Sequence, residues 1–129
     1  MSAEARRAAR VARGTAGRLS GRRSEWLAAL VLMAKGYRIL GFRLQTKAAE
    51  IDLLALRGQT LAVVEVKRRT SLLAALETVT FDQRERLRRA GAALAAGRPS
   101  LAGASVRLDL IALAPGKLPR HIPDAWKGS

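Results

Sequence analysis

Two acidic residues and a lysine stand in two neighbouring apolar segments, at a spacing that suits metal-assisted hydrolysis of a phosphodiester. Asp52 lies in the first segment, and Glu65 and Lys67 lie in the second, which gives the pattern D-x12-E-x-K. Mg²⁺ prefers hard oxygen ligands and keeps several of its waters, so the two carboxylates and the backbone carbonyl of Val66 would be enough to hold it. A bound cation acidifies its water, and Lys67 would orient that water or stabilise charge on the phosphate.

The two segments predict a β-hairpin whose register brings the carboxylates together. Both are apolar on alternate and on intervening positions, as in strands covered on both faces, and Gly58 lies in the polar break between them. A turn centred just after this glycine pairs residues whose numbers add up to 117. Asp52 then faces Glu65, and Glu50 faces Lys67. Like charges opposite each other destabilise a strand pair, so a cation, a shared proton or the lysine must neutralise them. A turn of odd length would remove this alignment.

The same register assigns the apolar residues of the hairpin to two faces of a sheet. The face that carries the charges continues with Leu54, Leu56, Leu61 and Val63. The opposite face consists of Ile51, Leu53, Ala55, Ala62, Val64 and Val66.

The overall charge predicts a polyanionic partner, most often nucleic acid, and we separately expect DNA more than RNA. The chain of 129 residues has 24 Lys and Arg against 10 Asp and Glu, a formal net charge of +14. Nucleic-acid-binding proteins typically show such a balance, although an arginine-rich genome would raise the count in the same way. The absence of cysteine excludes disulfides, thiolate zinc sites and cysteine nucleophiles, and it favours a cytoplasmic protein. We expect neither a signal peptide nor a membrane span, because the longest apolar run, 26–34, is too short.

The length and composition predict a flexible basic arm over 1–23 and one α/β domain over 24–129, a mixed sheet flanked by helices. The first predicted element is a helix over 24–35, which Ser24 caps and Gly36 ends. A strand over 37–44 and the hairpin follow. The capping box of Thr80 and Gln83 begins a second helix that runs to about residue 96, and a strand over 104–113 comes last. No structure is predicted for 70–78. The tail from residue 115, with the lone His121, is expected to be polar and inert.

The hairpin carries a resemblance to a known family. The segments Ala49-Glu50-Ile51-Asp52-Leu53-Leu54-Ala55 and Val63-Val64-Glu65-Val66-Lys67-Arg68-Arg69 resemble those of the YraN-like family of uncharacterised bacterial proteins. That family in turn is similar to the restriction-endonuclease-like, or PD-(D/E)xK, nucleases, which include Holliday-junction resolvases. The resemblance covers about residues 20–127 and implies a restriction-endonuclease-like core and Mg²⁺- or Mn²⁺-dependent cleavage of nucleic acid.

The resemblance also implies roles for individual residues. Asp52, Glu65 and Lys67 match the superfamily's central triad, with the two acids as metal ligands. Glu25 matches an acid on the first helix that adds a ligand or orients water. Gln83 stands where the family more often has lysine, and Arg43 stands where it usually has asparagine.

Each of these residues also has a structural interpretation. Asp52 and Glu65 could pair with arginines, and Lys67 with Glu50. Glu25 could simply favour the positive end of its helix, and Gln83 could act only in the capping box. Further nucleic-acid contacts are predicted at Arg68, Arg69, Arg84 and Arg88. The arginines at 84, 86, 88 and 89 otherwise form a solvated helix face.

Three functions compete at this point. The first is a Mg²⁺-dependent endonuclease acting on DNA, including branched or damaged DNA. The second is a non-catalytic nucleic-acid-binding module on a nuclease fold, and the third is an assembly factor whose charge serves RNA contacts. A nuclease that cuts both strands needs two sites, which a homodimer would supply.

Overall fold

A five-stranded mixed sheet carries the hairpin at its centre. The computed structural model describes residues 23–127, so the predicted arm, except for its last residue, lies outside the described residues. The strands are β1 (Arg38–Gln45), β2 (Glu50–Arg57), β3 (Thr60–Arg68), β4 (Ser105–Leu113) and β5 (Arg120–Ile122). The helices are α1 (23–34), α2 (Leu72–Thr78) and α3 (Phe81–Ala96), and a short 3-10 turn covers Pro99–Leu101. The predicted α/β class is confirmed.

The sheet has the spatial order β1-β2-β3-β4-β5. Strands β3 and β4 are parallel, whereas the other neighbouring pairs are antiparallel. Helices α2 and α3 lie in the crossover that a parallel pair requires. In the hairpin Leu53 pairs with Val64 and Leu56 pairs with Leu61, so the predicted register is confirmed. Gly58 adopts φ +58° in the two-residue turn, a conformation that glycine takes readily.

Each face of the sheet is covered by a helix. Helix α1 packs its Ala28, Ala29 and Leu32 against one face, in a cluster with Leu53, Ala55, Ala62, Val64 and Ile111. Helix α3 packs its Leu87 and Ala90 against the other face, in a cluster with Leu54, Leu61, Val63, Leu108 and Leu110. The predicted facial assignment was wrong for Ile51, which packs in the α3 cluster. At Ile51 strand β2 pairs only with β1, because its ladder with β3 stops at Leu53.

Helix α1 ends as its sequence predicts and begins differently. The amide of Tyr37 donates to the carbonyl of Leu32, and the amide of Gly36 donates to that of Met33, both at 3.0 Å. With Gly36 at φ +89°, this is a Schellman motif. The prediction that Ser24 caps the helix was wrong, because residue 23 is already helical and Ser24 is buried within the helix.

Helix α3 begins with the predicted capping box and approaches the sheet closely. The Thr80 hydroxyl accepts from the Gln83 amide, and the Gln83 side chain accepts from the Thr80 amide. A β-carbon at Gly91 would lie 2.6 Å from the Cγ2 atom of Val63 and 2.9 Å from the Cγ1 atom of Val106. Only a glycine at this position permits the observed distance between helix and sheet.

Two further elements complete the domain. Ser71 caps α2 by accepting from the amide of Ala74, in the region for which no structure was predicted. The tail is not a polar extension, because β5 adds an edge strand next to β4 and Trp126 is buried in the α3 cluster. No helix in residues 23–127 is long and apolar enough to cross a membrane.

Candidate functional site

A cleft of about 330 Å³ opens between α3 and the ends of β2 and β3. Its polar lining consists of Glu50, Asp52, Glu65, Gln83 and Arg86, and Leu87 forms part of its apolar wall. Two strands and one helix therefore bring together residues that are up to 36 positions apart in the chain.

Asp52 and Glu65 are neighbours in the cleft, just beyond the paired residues of the hairpin. The confirmed ladder reaches Leu53 and Val64, and the next position in the same register is this pair. The Oδ2 atom of Asp52 accepts a hydrogen bond of 2.9 Å from the amide of Val66. Glu65 is 7% exposed. The predicted role of the Val66 carbonyl as a metal ligand stays a prediction.

Burial raises the pKa of both carboxyl groups, whereas the two groups act on each other in opposite directions. Burial, and then the neighbouring Asp52, raise the pKa of Glu65 from 4.5 to about 7, although Lys67 opposes the shift. Burial also raises the pKa of Asp52 from its usual 3.8, against the hydrogen bond from Val66 and the charge of Lys67. The single lysine therefore does not compensate for two buried carboxylates.

Lys67 contacts Glu65, and not the residue predicted to face it. Its Nζ atom lies 3.5 Å from the Oε2 atom of Glu65, and the two side chains are 22% and 9% exposed. The expected pairing with Glu50 was wrong, because β2 and β3 stop pairing before they reach these positions. Glu50 is instead exposed at the rim of the cleft.

Glu25 lies near the acidic pair without lining the cleft. Its Oε1 atom accepts a 2.7 Å hydrogen bond from Nε of Arg43, and its charge contributes to the raised pKa of Asp52. Arg43 has φ +49°, a left-handed conformation that asparagine adopts more readily than arginine. The ion pair with Glu25 raises the pKa of the Arg43 guanidinium, since it favours the charged form.

Helix α3 contributes one predicted and one unpredicted side chain. Gln83 lines the cleft, but its Oε1 atom accepts from the Thr80 amide at 3.1 Å, so the side-chain nitrogen is the part left for a ligand. Arg86, one turn further on, also lines the cleft and lies 3.1 Å from Asp82. Sequence reasoning treated this arginine only as part of a solvated face. Its spacing of three residues from Gln83 was the signal that placed it on the same side of the helix.

The four arginines predicted to contact nucleic acid lie in two regions. Arg68 and Arg69 are exposed at the end of β3, and the guanidinium of Arg69 donates to Thr78 Oγ1 at 3.1 Å. Arg84 does not belong to a solvated face, because it stacks on the rings of Phe81 and Trp126 and its Nε atom is buried. Arg88 is half-buried, and its guanidinium lies 2.7 Å from the carboxylate of Glu85. This ion pair accounts for the position of Arg88 without a nucleic-acid contact.

The chain matches the model of the uncharacterised protein family UPF0102 over residues 24–113. A UPF0102 protein of Caulobacter sp. (strain K31) is 70% identical over 121 residues, which cover 94% of this chain and 87% of that protein. A UPF0102 protein of Paramagnetospirillum magneticum is 50% identical over 111 residues, with 83% and 86% covered. The chain belongs to the UPF0102 family. The resemblance to the YraN-like uncharacterised bacterial proteins is thereby confirmed.

Another buried carboxylate of this UPF0102 protein, Asp109, lies on the opposite face of the sheet. Asp109 is fully buried and receives two 2.8 Å hydrogen bonds from Arg107, one of 2.9 Å from His121 and one of 3.0 Å from the amide of Asp124. Burial raises the pKa of Asp109, but these hydrogen bonds outweigh it and hold the pKa below 3.8. Arg107 also donates to the Tyr37 hydroxyl.

The expectation that His121 is a lone residue in a polar tail was wrong. Its side chain is 1% exposed, and its Nδ1 atom lies 2.9 Å from the ammonium group of Lys35. Because the ammonium group can only donate, the ring accepts at Nδ1 and donates from Nε2 to Asp109. His121 therefore holds β5 and the end of α1 around one buried carboxylate.

No group of three or more His, Asp, Glu or Cys residues among positions 23–127 is arranged to hold a metal ion. The cleft therefore offers the Asp52–Glu65 pair, with the exposed Glu50 at its rim, and not a full protein cage. Mg²⁺ is commonly bound by only one or two carboxylates, with water and substrate phosphate as its other ligands. The Asp52–Glu65 pair fits a cation of this kind.

Proposed function

We propose that this UPF0102 protein is a cytoplasmic endonuclease with a restriction-endonuclease-like core that uses Mg²⁺ or Mn²⁺ to hydrolyse phosphodiester bonds of DNA, including branched or damaged DNA. The observation that carries the proposal is the pair of opposed carboxylates in an open cleft, with the ammonium group of Lys67 3.5 Å from Glu65. A divalent cation would remove the repulsion between the acids, whose single neighbouring lysine leaves them under-compensated.

Asp52 and Glu65 would hold the cation, and the hydrogen bond from Val66 fixes the orientation of the Asp52 carboxylate. When bound, the cation supplies Lewis-acid stabilisation of the phosphate and acidifies water. Lys67 lies beside Glu65 on β3, where its positive charge stabilises negative charge that builds on the phosphate. The side-chain nitrogen of Gln83 and the guanidinium of Arg86 are donors on the facing wall for phosphate oxygens.

Charge and position favour a polyanionic substrate. The formal net charge of +14 provides attraction to phosphates that carries no sequence information. The charge of Glu50 at the rim would repel phosphate, so we expect the scissile group to enter from the side of Arg86.

A cleavage panel tests the proposed reaction. Duplex DNA, single-stranded DNA, a flap, a four-way junction and RNA are incubated with the full chain in Mg²⁺ or Mn²⁺. We expect cleavage of at least one DNA substrate, and none with Asp52→Asn, Glu65→Gln or EDTA. Glu77→Gln is the matched control, since Glu77 is an exposed acid on α2 away from the cleft.

The panel also separates the alternative functions. Binding of DNA without cleavage in either metal would contradict the enzymatic proposal and favour a non-catalytic nucleic-acid-binding module. The arginines at the end of β3 support such a module independently of the acids. Binding restricted to RNA would favour the assembly factor.

A further inference from the structure

A second and larger pocket, of about 520 Å³, lies at the ends of the two parallel strands of the sheet. Residue Arg68 at the end of β3 and Leu113 at the end of β4 are paired partners, and both line the pocket. The first turn of α1 and the segment after β4 form its other sides. In open α/β sheets, ligands commonly bind beyond the carboxyl ends of the strands.

This pocket and the acidic cleft use opposite faces of the same strand. Glu65 and Lys67 belong to the face covered by α3, whereas Arg68 follows the alternation of Val64 and Val66 onto the face covered by α1. None of the residues that line one cavity lines the other. The pocket is therefore separate from the proposed metal site.

The lining of the pocket combines four cations with an apolar wall. Arg23, Arg68, Arg69 and Lys117 contribute the charges, and no acidic residue of the described chain lines the pocket. The Arg69 guanidinium is held by hydrogen bonds to Thr78 and to the carbonyl of Arg68, at 3.1 and 2.7 Å. Leucine and proline side chains, among them Leu27, supply the apolar surface.

We propose that this pocket binds a nucleoside phosphate, either a free nucleotide or one nucleotide of a nucleic-acid strand. Its volume lies in the range of about 300–1,000 Å³ that is typical of small-molecule sites. The arginines suit the phosphate, because guanidinium groups form paired charge-assisted hydrogen bonds with its oxygens. The apolar wall suits the flat face of a base. A site for phosphate alone would not need such a wall.

Calorimetric titrations in EDTA test the proposal without depending on cleavage. The full chain is titrated with adenosine 5′-monophosphate, adenosine and inorganic phosphate. We expect the nucleotide to bind more tightly than either of its parts. The double variant Arg68→Ala/Lys117→Ala should bind the nucleotide at least about tenfold more weakly, since it loses two charge-assisted contacts.

The matched control is the double variant Arg38→Ala/Lys127→Ala, which removes the same charges from two exposed positions outside both cavities. It should bind the nucleotide like the unchanged chain, and melting curves establish that both variants are folded. Equal weakening in both variants would overturn the proposal, since general charge would then explain binding. Binding of inorganic phosphate as tight as that of the nucleotide, or no binding of the nucleotide at all, would also overturn it.

A competition experiment distinguishes the two sources of the ligand. A 5′-phosphorylated single-stranded oligonucleotide that displaces adenosine 5′-monophosphate identifies the occupant as part of a strand. Nucleotide binding that the oligonucleotide does not displace identifies a free nucleotide. The Asp52→Asn variant should give the same affinities, so a failure of the metal-site proposal would leave this result unchanged.

Discussion

The sheet buries carboxylates on both of its faces, and the two faces treat them in opposite ways. On the α1 side, Asp109 receives hydrogen bonds from a guanidinium, an imidazole and a backbone amide, and its pKa is lowered. On the α3 side, Asp52 and Glu65 face each other with one lysine nearby, and both pKa values are raised. The sheet separates the two environments by a single layer of backbone.

The difference teaches how to distinguish a structural acid from a functional one in this fold. A buried carboxylate with its charge satisfied contributes to the stability of the folded chain, and losing it leaves buried partners uncompensated. A pair of opposed carboxylates lowers stability, and perturbed acids in a cleft are typical of functional sites. The Asp109 network is thus part of the scaffold, and the cleft is the candidate site.

The largest expected effect is a loss of stability when Asp109, on the α1 side of the sheet, is replaced. Asp109→Asn should lower the free energy of unfolding by about 3 kcal/mol or more, because it leaves Arg107 without its buried partner. Urea unfolding at pH 7 measures the change. Asp82→Asn is the control, since the Asp82 side chain is 79% exposed and its pair with Arg86 contributes less than about 1 kcal/mol. Similar losses of stability in both variants would contradict the structural role assigned to Asp109.

Stability should depend on pH with opposite signs on the two faces. Because the pKa of Glu65 is about 7 in the folded chain and 4.5 in the unfolded chain, the folded state binds this proton more tightly. The metal-free protein should therefore lose up to about 3 kcal/mol as the pH rises from 4.5 to above 7. Asp109 stabilises the fold above pH 3.8, and its contribution is lost on further acidification through its lowered pKa.

Unfolding curves of the unchanged chain and of Glu65→Gln, recorded from about pH 2 to pH 9 in EDTA, measure both slopes. In the glutamine variant, the free energy of unfolding should no longer fall as the pH rises towards 7. It should still fall on acidification, because Asp109 is unchanged. An unaltered profile in the variant would show that Glu65 does not titrate near neutrality.

Lys67→Ala should slow cleavage about 100-fold and change DNA binding little, because a charge that acts on the transition state affects the rate selectively. Single-turnover cleavage and equilibrium binding on the same substrate compare the two effects. Lys47→Ala removes an exposed lysine from the turn before β2 as a control. An equal loss of rate and affinity would reduce Lys67 to a simple phosphate contact.

The smallest expected effect is a gain in the stability of the metal-free protein. Asp52→Asn should raise metal-free stability by up to about 1 kcal/mol at pH 8, since repulsion from Glu65 disappears and the amide oxygen still accepts from Val66. Thermal melting in EDTA measures the gain, and Mg²⁺ should then stabilise only the unchanged chain. A strong destabilisation would mean that Asp52 is structural, like Asp109.

The hairpin and its acids were predictable because local rules determine them. A glycine between two apolar segments sets the turn and the register down to Leu53 and Val64, and Asp52 and Glu65 follow directly after that pair. The capping box of α3 was equally local, since Thr80 and Gln83 are three residues apart. These are interactions that neighbouring residues specify without help from the rest of the fold.

The Asp109 network could not be found in this way. His121 is 86 residues from Lys35 and 12 from Asp109, and nothing in its immediate sequence indicates either partner. Strand β5 has only three residues, and it is defined by pairing with β4 more than by its own pattern. Arg84 likewise needed Trp126, 42 positions away, to become half-buried.

The close approach at Gly91 makes the width of the cleft depend on a residue outside it. Helix α3 carries Gln83 and Arg86 into the cleft, and Gly91 determines how near that helix lies to Val63 and Val106. The branched valines have little freedom to move aside, so an alanine at position 91 would tilt or lift the whole helix. A screen for inactive variants would then report Gly91 as a site residue, although it never meets a substrate.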